Sequence, residues 1–281
     1  MTETRLIPGG VAVVTGAGVG IGAAAARRFP RPGMRLCLFD RDADALEAMA
    51  AELKGADVRT VVGDVANRSD LERLRDVAFE TTGEVALLMN NAGITAGAGP
   101  WGAEDAWRRQ LEVNLISIVV AQELFVPRML EQKGRGVVVN LGSKEGITTP
   151  PGNAAYSVAK AGVKVLTEQL AHELREAVGD KVTAHLLVPG YTWTPMNFPG
   201  MDETFGTKPD EPWTADEVIE HFVARLERGD FYILCPDNAV TPEMDAKRIR
   251  WVSDDVAQNR PALSRWHPEW KARFAAFMND G

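Results

Sequence analysis

Two cysteines, four histidines and three tyrosines in 281 residues leave little material for several common chemistries. Cys37 and Cys235 each sit inside an apolar run, far apart in the chain. They form neither a metal pair nor a disulfide framework, and read as buried free thiols. The histidines (His172, His185, His221 and His267) stand beside no recognisable nucleophile. Gly142 directly precedes Ser143, and Glu145 stands where a nucleophile elbow needs its second glycine, so a serine hydrolase is a poor reading. Positive charge is scarce too. With 31 Lys and Arg against 39 Asp and Glu, the net charge of −8 argues against a nucleic-acid or anionic-membrane partner. The longest apolar run begins at Leu115 and is interrupted by Gln122 and Glu123, too short to span a bilayer. The first eight residues lack the apolar core of a secretory signal, and a cytoplasmic protein is expected.

What is present is ordinary globular composition, 45% hydrophobic and 25% charged, at a length that suits one large α/β domain or two small ones. Short β-branched runs at 11–15, 35–39, 58–62, 85–89, 137–141 and 182–188 are nearly continuously apolar, as strands buried on both faces must be. Between them, helical periodicity covers 22–29, 43–53, 69–82, 104–132 and 154–178. Ser69 with Glu72 predicts a capping box at the start of the third helix. The alternation predicts a doubly wound parallel sheet of the Rossmann type in a single domain, residues 1–235. Within it, a proline- and glycine-rich stretch opens a substrate-loop region at 190–228. A further helix is expected over 214–228, capped by Thr214 with Glu217, and a last strand over 231–235. Residues 236–281 form an extension carrying Trp251, Trp266 and Trp270, which must pack on the domain or on a neighbouring subunit.

The first strand runs into Gly16-Ala17-Gly18-Val19-Gly20-Ile21-Gly22, followed by the small residues Ala23 to Ala26. A strand, a glycine turn and a helix N-terminus together make a pyrophosphate cradle, since glycines permit close approach and the helix start offers free N–H groups. The second strand ends at Asp40, where a carboxylate accepts the ribose hydroxyls of NAD and repels the 2′-phosphate of NADP. Arg41 follows at once and would partly offset that repulsion, so an NADP-preferring carbonyl reductase stays open as an alternative.

Tyr156 and Lys160 stand four apart near a helix start, hence on one face. A phenol with a reference pKa of about 10 is a poor base at neutral pH, and a neighbouring ammonium favours its ionised form. Ser143 lies just past the 137–141 strand, at the carboxyl end where open α/β sheets bind ligands. Asn114 occupies a helix interior, a place asparagine does not favour.

Taken in order, Thr15-Gly16-x-x-x-Gly20-x-Gly22, Asn90-Asn91-Ala92-Gly93, Asn114, Ser143, Tyr156-x-x-x-Lys160 and Pro189-Gly190 resemble the short-chain dehydrogenase/reductase family, over residues 10 to about 194. The resemblance implies catalytic roles for Asn114, Ser143, Tyr156 and Lys160 in hydride transfer between a secondary alcohol and NAD. It implies cofactor contacts from Gly16, Gly18, Gly20, Ile21, Gly22, Asp40 and Arg41, and from Asp64, Val65, Asn91, Ala92 and Gly93. Tyr156, Lys160, Pro189, Gly190, Thr192 and Thr194 complete that set. Substrate contacts are expected from Ser143, Glu145, Tyr156, Trp193 and Met196, and relatives of this kind form dimers or tetramers. The tail, with Trp101, Trp193, Met196 and Phe198, is expected to wall an apolar substrate pocket. A non-catalytic NAD(H)-binding redox sensor, or an epimerase or dehydratase holding NAD as a prosthetic group, are the rival readings; the intact Ser143, Tyr156 and Lys160 count against the sensor.

Overall fold

In the computed structural model, residues 5–31, 33–201 and 207–279 are described. Seven parallel strands form one sheet: β1 (Val11–Thr15), β2 (Arg35–Asp40), β3 (Val58–Val62), β4 (Val85–Asn90), β5 (Gly136–Leu141), β6 (Val182–Val188) and, after a short pair described below, β9 (Tyr232–Leu234). Their spatial order is β3-β2-β1-β4-β5-β6-β9. The order reverses between β1 and β4, and a crevice opens there at the carboxyl ends of the strands.

Each central strand feeds two cores. Val11 and Val13 point to one face of the sheet, Ala12 and Val14 to the other, all essentially inaccessible. On the first face lie α3 (Arg68–Thr82), α5 (Ser117–Glu131) and α7 (Ala154–Val178). The second face is covered by α1 (Gly20–Arg28), α2 (Ala43–Glu52) and α8 (Ala215–Glu227). Four buried alanines, Ala23 to Ala26, let α1 lie close between the sheet and α8.

Three local expectations change. The cap of α3 is Asn67, whose side chain accepts from the Ser69 N–H; Glu72 instead pairs with Arg68. Asn67 wins because it precedes the first helical residue, whereas Ser69 already lies inside the helix. The 104–132 helix is two helices, α4 (Glu104–Leu111) and α5, joined by a π-helical turn at Glu112–Ile116. Continuous through that turn, Glu104–Glu131 is long and apolar enough to cross a membrane by length and composition, with 56% of its most apolar window buried inside the fold. Its apolar surface is that of a core helix, and its length exceeds the run read from the sequence. The 190–212 stretch contains β7 (Thr192–Trp193) paired with β8 (Trp213–Thr214), and the Thr214–Glu217 capping box of α8 forms as expected. Residues 202–206 of the expected substrate loop lie outside the described residues.

The extension builds a small aromatic core of its own. In α9 (Pro242–Ala257), capped by Thr241, Trp251 meets Trp270 and two rings of α10 (Lys271–Asn279), Phe274 and Phe277. The Trp251 Nε1–H donates to Ser264 Oγ at 2.7 Å, and the Arg260 guanidinium stacks 4.7 Å from the same indole. The extension meets the main domain where α9 touches the short helix α6 (Glu145–Thr148).

Candidate active site

At the β1 end, Thr15 Oγ1 accepts N–H bonds from Asn91 and Ala92 at 3.0 and 3.1 Å, tying β1 to the segment after β4. Asn91 returns its amide to the Thr15 and Gly16 carbonyls. Gly22 packs so tightly against this turn that a Cβ there would fall 1.9 Å from the Gly16 carbonyl oxygen. α1 therefore starts hard against the turn. Its first turn holds no acidic residue and its cap, Val19, has no side-chain acceptor, so no carboxylate opposes an anion at this helix start.

A cavity of about 220 Å³ opens at this point, lined by Gly16, Gly20 and Ile21 from the turn and by Asp40 and Arg41 from the end of β2. Asp64, Val65, Asn91, Ala92, Gly93 and Thr194 line it as well. Gly18 and Gly22 stand behind the lining. The Gly18 N–H donates to Asp40 Oδ2 at 2.8 Å, so Gly18 orients the carboxylate, and the role of Gly22 is close packing. The sequence reading missed Arg109, whose guanidinium meets Asp64 Oδ2 at 2.9 Å across the cavity and, after the opposing effect of burial, helps hold that carboxyl below its usual range. The two residues are 45 positions apart, and no local signal joins them.

A second cavity, of about 300 Å³, adjoins it past Ile21, Leu141, Thr194 and Met196, which line both. Ser143, Glu145 and Tyr156 stand on its wall, with Pro189, Gly190 and Thr192 opposite. The last three thus face this cavity and are absent from the first. Ser143 accepts the Glu145 N–H at 3.1 Å, and its hydroxyl hydrogen-bonds Tyr156. Lys160 is buried beneath them and donates from Nζ to the Leu141 carbonyl at 2.7 Å, with its ammonium 5.7 Å from the centre of the Tyr156 ring. The α6 helix reaches this spot because Gly146 has no side chain; a Cβ would lie 2.5 Å from the Lys160 carbonyl carbon.

The electrostatics differ from the simple expectation of an ammonium lowering the tyrosine pKa. Burial dominates and pushes the Tyr156 phenol up to about 12, partly opposed by the Ser143 hydrogen bond and reinforced by Glu145. Burial also brings Lys160 down to about 8. The protein alone stores a neutral phenol beside a readily deprotonated lysine. Asn114 is fully buried in the π-helical turn, where it accepts from the Ile94 N–H and donates to the Ile94 carbonyl, both at 2.8 Å. It braces the Asn91–Ile94 segment between the two cavities, while the Lys160 ammonium bonds the Leu141 carbonyl instead. A π-turn at a functional position is a recurring device, invisible in the sequence because its spacing resembles an ordinary helix.

Other expectations are corrected. Trp193 does not line the substrate-side cavity; it packs on Phe198 with ring centres 4.3 Å apart, as does Tyr191 at 5.3 Å. Trp101 is 92% exposed, and no described tail residue lines the cavity. The wall is instead supplied by side chains the sequence reading passed over: Thr95, Lys144, Asn153, Tyr191 and Asn197. Met196 does line it, as expected. Both cysteines are buried thiols, raised to about 12 by burial, and no metal-ligating cluster occurs among the described residues.

A parallel sheet with a glycine cradle at its switch point, joined to a Ser-Tyr pair on a cavity wall over a buried lysine, defines a dinucleotide-dependent oxidoreductase. Residues 10–202 match the short chain dehydrogenase family, and the protein belongs to it. It is 34% identical over 250 residues to the 1-deoxy-11-beta-hydroxypentalenate dehydrogenase of Streptomyces exfoliatus, covering 87% of each chain. It is 37% identical over 195 residues to the galactitol 2-dehydrogenase (L-tagatose-forming) of Cereibacter sphaeroides, covering 68% of this chain and 74% of that one. Among solved structures, a short chain dehydrogenase/reductase from Burkholderia phymatum in complex with NAD superposes with a TM-score of 0.79 at 31% identity, over 90% of this chain and 96% of that one. The protein is an oxidoreductase of this family acting at a hydroxyl or ketone.

Proposed function

We propose that the protein interconverts a secondary alcohol and its ketone with NAD, using Ser143, Tyr156 and Lys160 as its reacting group and Asn114 as a brace. The observation that carries this reading is the convergence of Ser143 and Tyr156 on the wall of the second cavity, with Lys160 buried beneath them. The glycine cradle and the start of α1, which carries no acidic residue, suit a pyrophosphate, and Asp40 suits an unphosphorylated ribose, whose NADP counterpart would meet like charge. Bound nicotinamide supplies the hydride acceptor for oxidation and the donor for reduction. In oxidation Tyr156 acts as the phenolate, its own proton having first passed to the neutral Lys160 amine, and its Oη takes the carbinol proton. In reduction the phenol gives its proton to the carbonyl oxygen and is reprotonated from the Lys160 ammonium. Ser143, its oxygen oriented by the Glu145 N–H, donates to the oxygen on which charge develops. Lys160 is anchored at the end of β5 and acts on Tyr156 from below, its depressed pKa suiting it to exchange protons near neutrality. The two buried thiols suit a reducing, cytoplasmic setting. Exposed Ile116, Val119, Val158 and Val165, on the π-turn, α5 and α7, offer an apolar stripe for pairing subunits into a dimer or tetramer.

The test is NADH appearance with purified protein and a panel of secondary alcohols, with Tyr156→Phe and an NADP series run in parallel. NAD-dependent turnover that falls by about 1,000-fold or more in Tyr156→Phe supports the reading. Tight NADH binding with no turnover of any alcohol or ketone favours the sensor alternative, and preferred turnover with NADPH favours the carbonyl reductase.

A further inference from the structure

The substrate-side cavity is polar where the reacting group lies, and its polar groups are unequally occupied. Lys144, next to Ser143, turns its ammonium to Asp245 Oδ2 at 2.6 Å and Asp237 Oδ2 at 3.7 Å, both carboxylates buried. Its charge is already compensated. Glu145, by contrast, is half-buried beside Tyr156, and no described residue donates a hydrogen bond to its carboxylate or pairs with it. Asn153 caps α7 without using its side chain for the helix. Its amide donates to Thr95 Oγ1 at 3.0 Å and leaves its carbonyl oxygen buried and unpartnered. An asparagine at a helix start ordinarily spends that oxygen on the helix N–H groups.

Two acceptors without donors thus flank the reacting serine and tyrosine. We propose that the substrate is a neutral polyol or hydroxyketone, carrying a second hydroxyl adjacent to the reacting carbinol, and that Glu145 and Asn153 offer the two alternative acceptors for its one O–H. An anionic substrate meets an uncompensated carboxylate and finds the Lys144 ammonium that lines the cavity engaged. The neutral Thr95, Thr192 and Asn197 around the rest of the cavity suit further hydroxyls better than a single ammonium. This deepens the alcohol–ketone reading above and rests on it. It also separates the two kinds of relative, since one is named for a carboxylic acid and the other for a polyol.

The experiment uses the whole protein with NAD or NADP and four substrates on one ring: cyclohexanol, cyclohexane-1,2-diol, 2-aminocyclohexanol and 2-hydroxycyclohexanecarboxylate. Butan-2-ol and butane-2,3-diol serve as an acyclic pair. The expected result is a kcat/KM for the diols about 100-fold or more above the mono-alcohols, because a site built around a hydroxyl leaves its own polar groups unpaired without one. The amine and the acid should fall below the diol. Glu145→Met should collapse the diol-to-mono-alcohol ratio to within about tenfold, Asn153→Ala should reduce it, and Glu145→Gln, which retains an acceptor, should restore part of it. Thermal stabilisation of the NADH-bound protein by the diol, but not by cyclohexanol, is the expected binding readout. Mono-alcohols turned over as well as diols, preference for the amine or acid, or an unchanged ratio in Glu145→Met overturns the inference and leaves the alcohol dehydrogenase reading standing. Failure of every alcohol, and of cyclohexanone and 2-hydroxycyclohexanone in reverse, overturns both.

Discussion

Lys144 Nζ lies 2.6 Å from Asp245 Oδ2, joining the loop that carries Ser143 to the first turn of α9. Asp237 completes the arrangement by accepting the Tyr191 N–H at 3.2 Å and the Ala239 N–H at 3.0 Å. The extension therefore reaches the active site through charge, although none of its described residues lines the cavity. Three segments, 143–145, 189–191 and 237–245, are held together around one ammonium.

Asp245→Asn should leave that ammonium with a single, more distant partner. Breaking a fully buried pair costs about 3–5 kcal/mol, and partial exposure of Lys144 reduces this to about 2 kcal/mol. The expected outcome is a lower melting temperature and a reduced kcat, with NADH affinity nearly unchanged. Identical melting and kcat in the variant would show that the pair is idle.

Lys160 makes stability depend on pH in a defined window. Its pKa is about 8 in the folded protein against a reference of 10.5, so between these values the unfolded chain binds more protons than the folded one. Stability contributed at this position rises as pH climbs from about 8 to about 10.5, because the cost of burying the ammonium disappears. Tyr156 acts in the opposite sense above about 10, where the unfolded chain loses a proton that the folded protein retains up to about 12. Lys160→Met removes the first effect. Its melting temperature relative to wild type should be highest below pH 8 and should decline steadily toward pH 10; a constant difference would contradict the depressed lysine.

Asp40→Asn keeps an acceptor for the Gly18 N–H and removes the charge. The NAD-to-NADP ratio of kcat/KM should fall at least about tenfold, the equivalent of removing about 1.4 kcal/mol of like-charge repulsion. An unaltered ratio would transfer cofactor choice to Arg41 or Arg109.

Gly22→Ala places a methyl where the Gly16 carbonyl and the Asn91 amide already stand, at 1.9 and 2.6 Å. Both are rigid, so α1 must move off the turn. Destabilisation of about 3 kcal/mol and loss of NADH binding, read by fluorescence titration, are expected. Gly83→Ala, at a solvent-facing left-handed helix end with nothing near its Cβ position, is the control for backbone cost alone.

Hydrophobic pattern and glycine chemistry made much of this protein legible in one dimension. Strands buried on both faces have to be continuously apolar, and each expected strand formed within a residue or two of its expected limits, although β3, at the sheet edge, is not buried on both faces and leaves Arg59, Thr60 and Val62 exposed. Tyr156 and Lys160 are neighbours by helical spacing alone, and Ser143 stands at a strand end by chain order alone. The tertiary structure decided whatever depends on residues distant in sequence. It brought Arg109 to Asp64, Asn114 to Ile94 and Asp245 to Lys144, and it sent Trp193 to Phe198 while Tyr191 reached the cavity. It also set the balance of charge at Tyr156, since burial is a property of the folded surroundings and outweighs the neighbour that sequence spacing supplies.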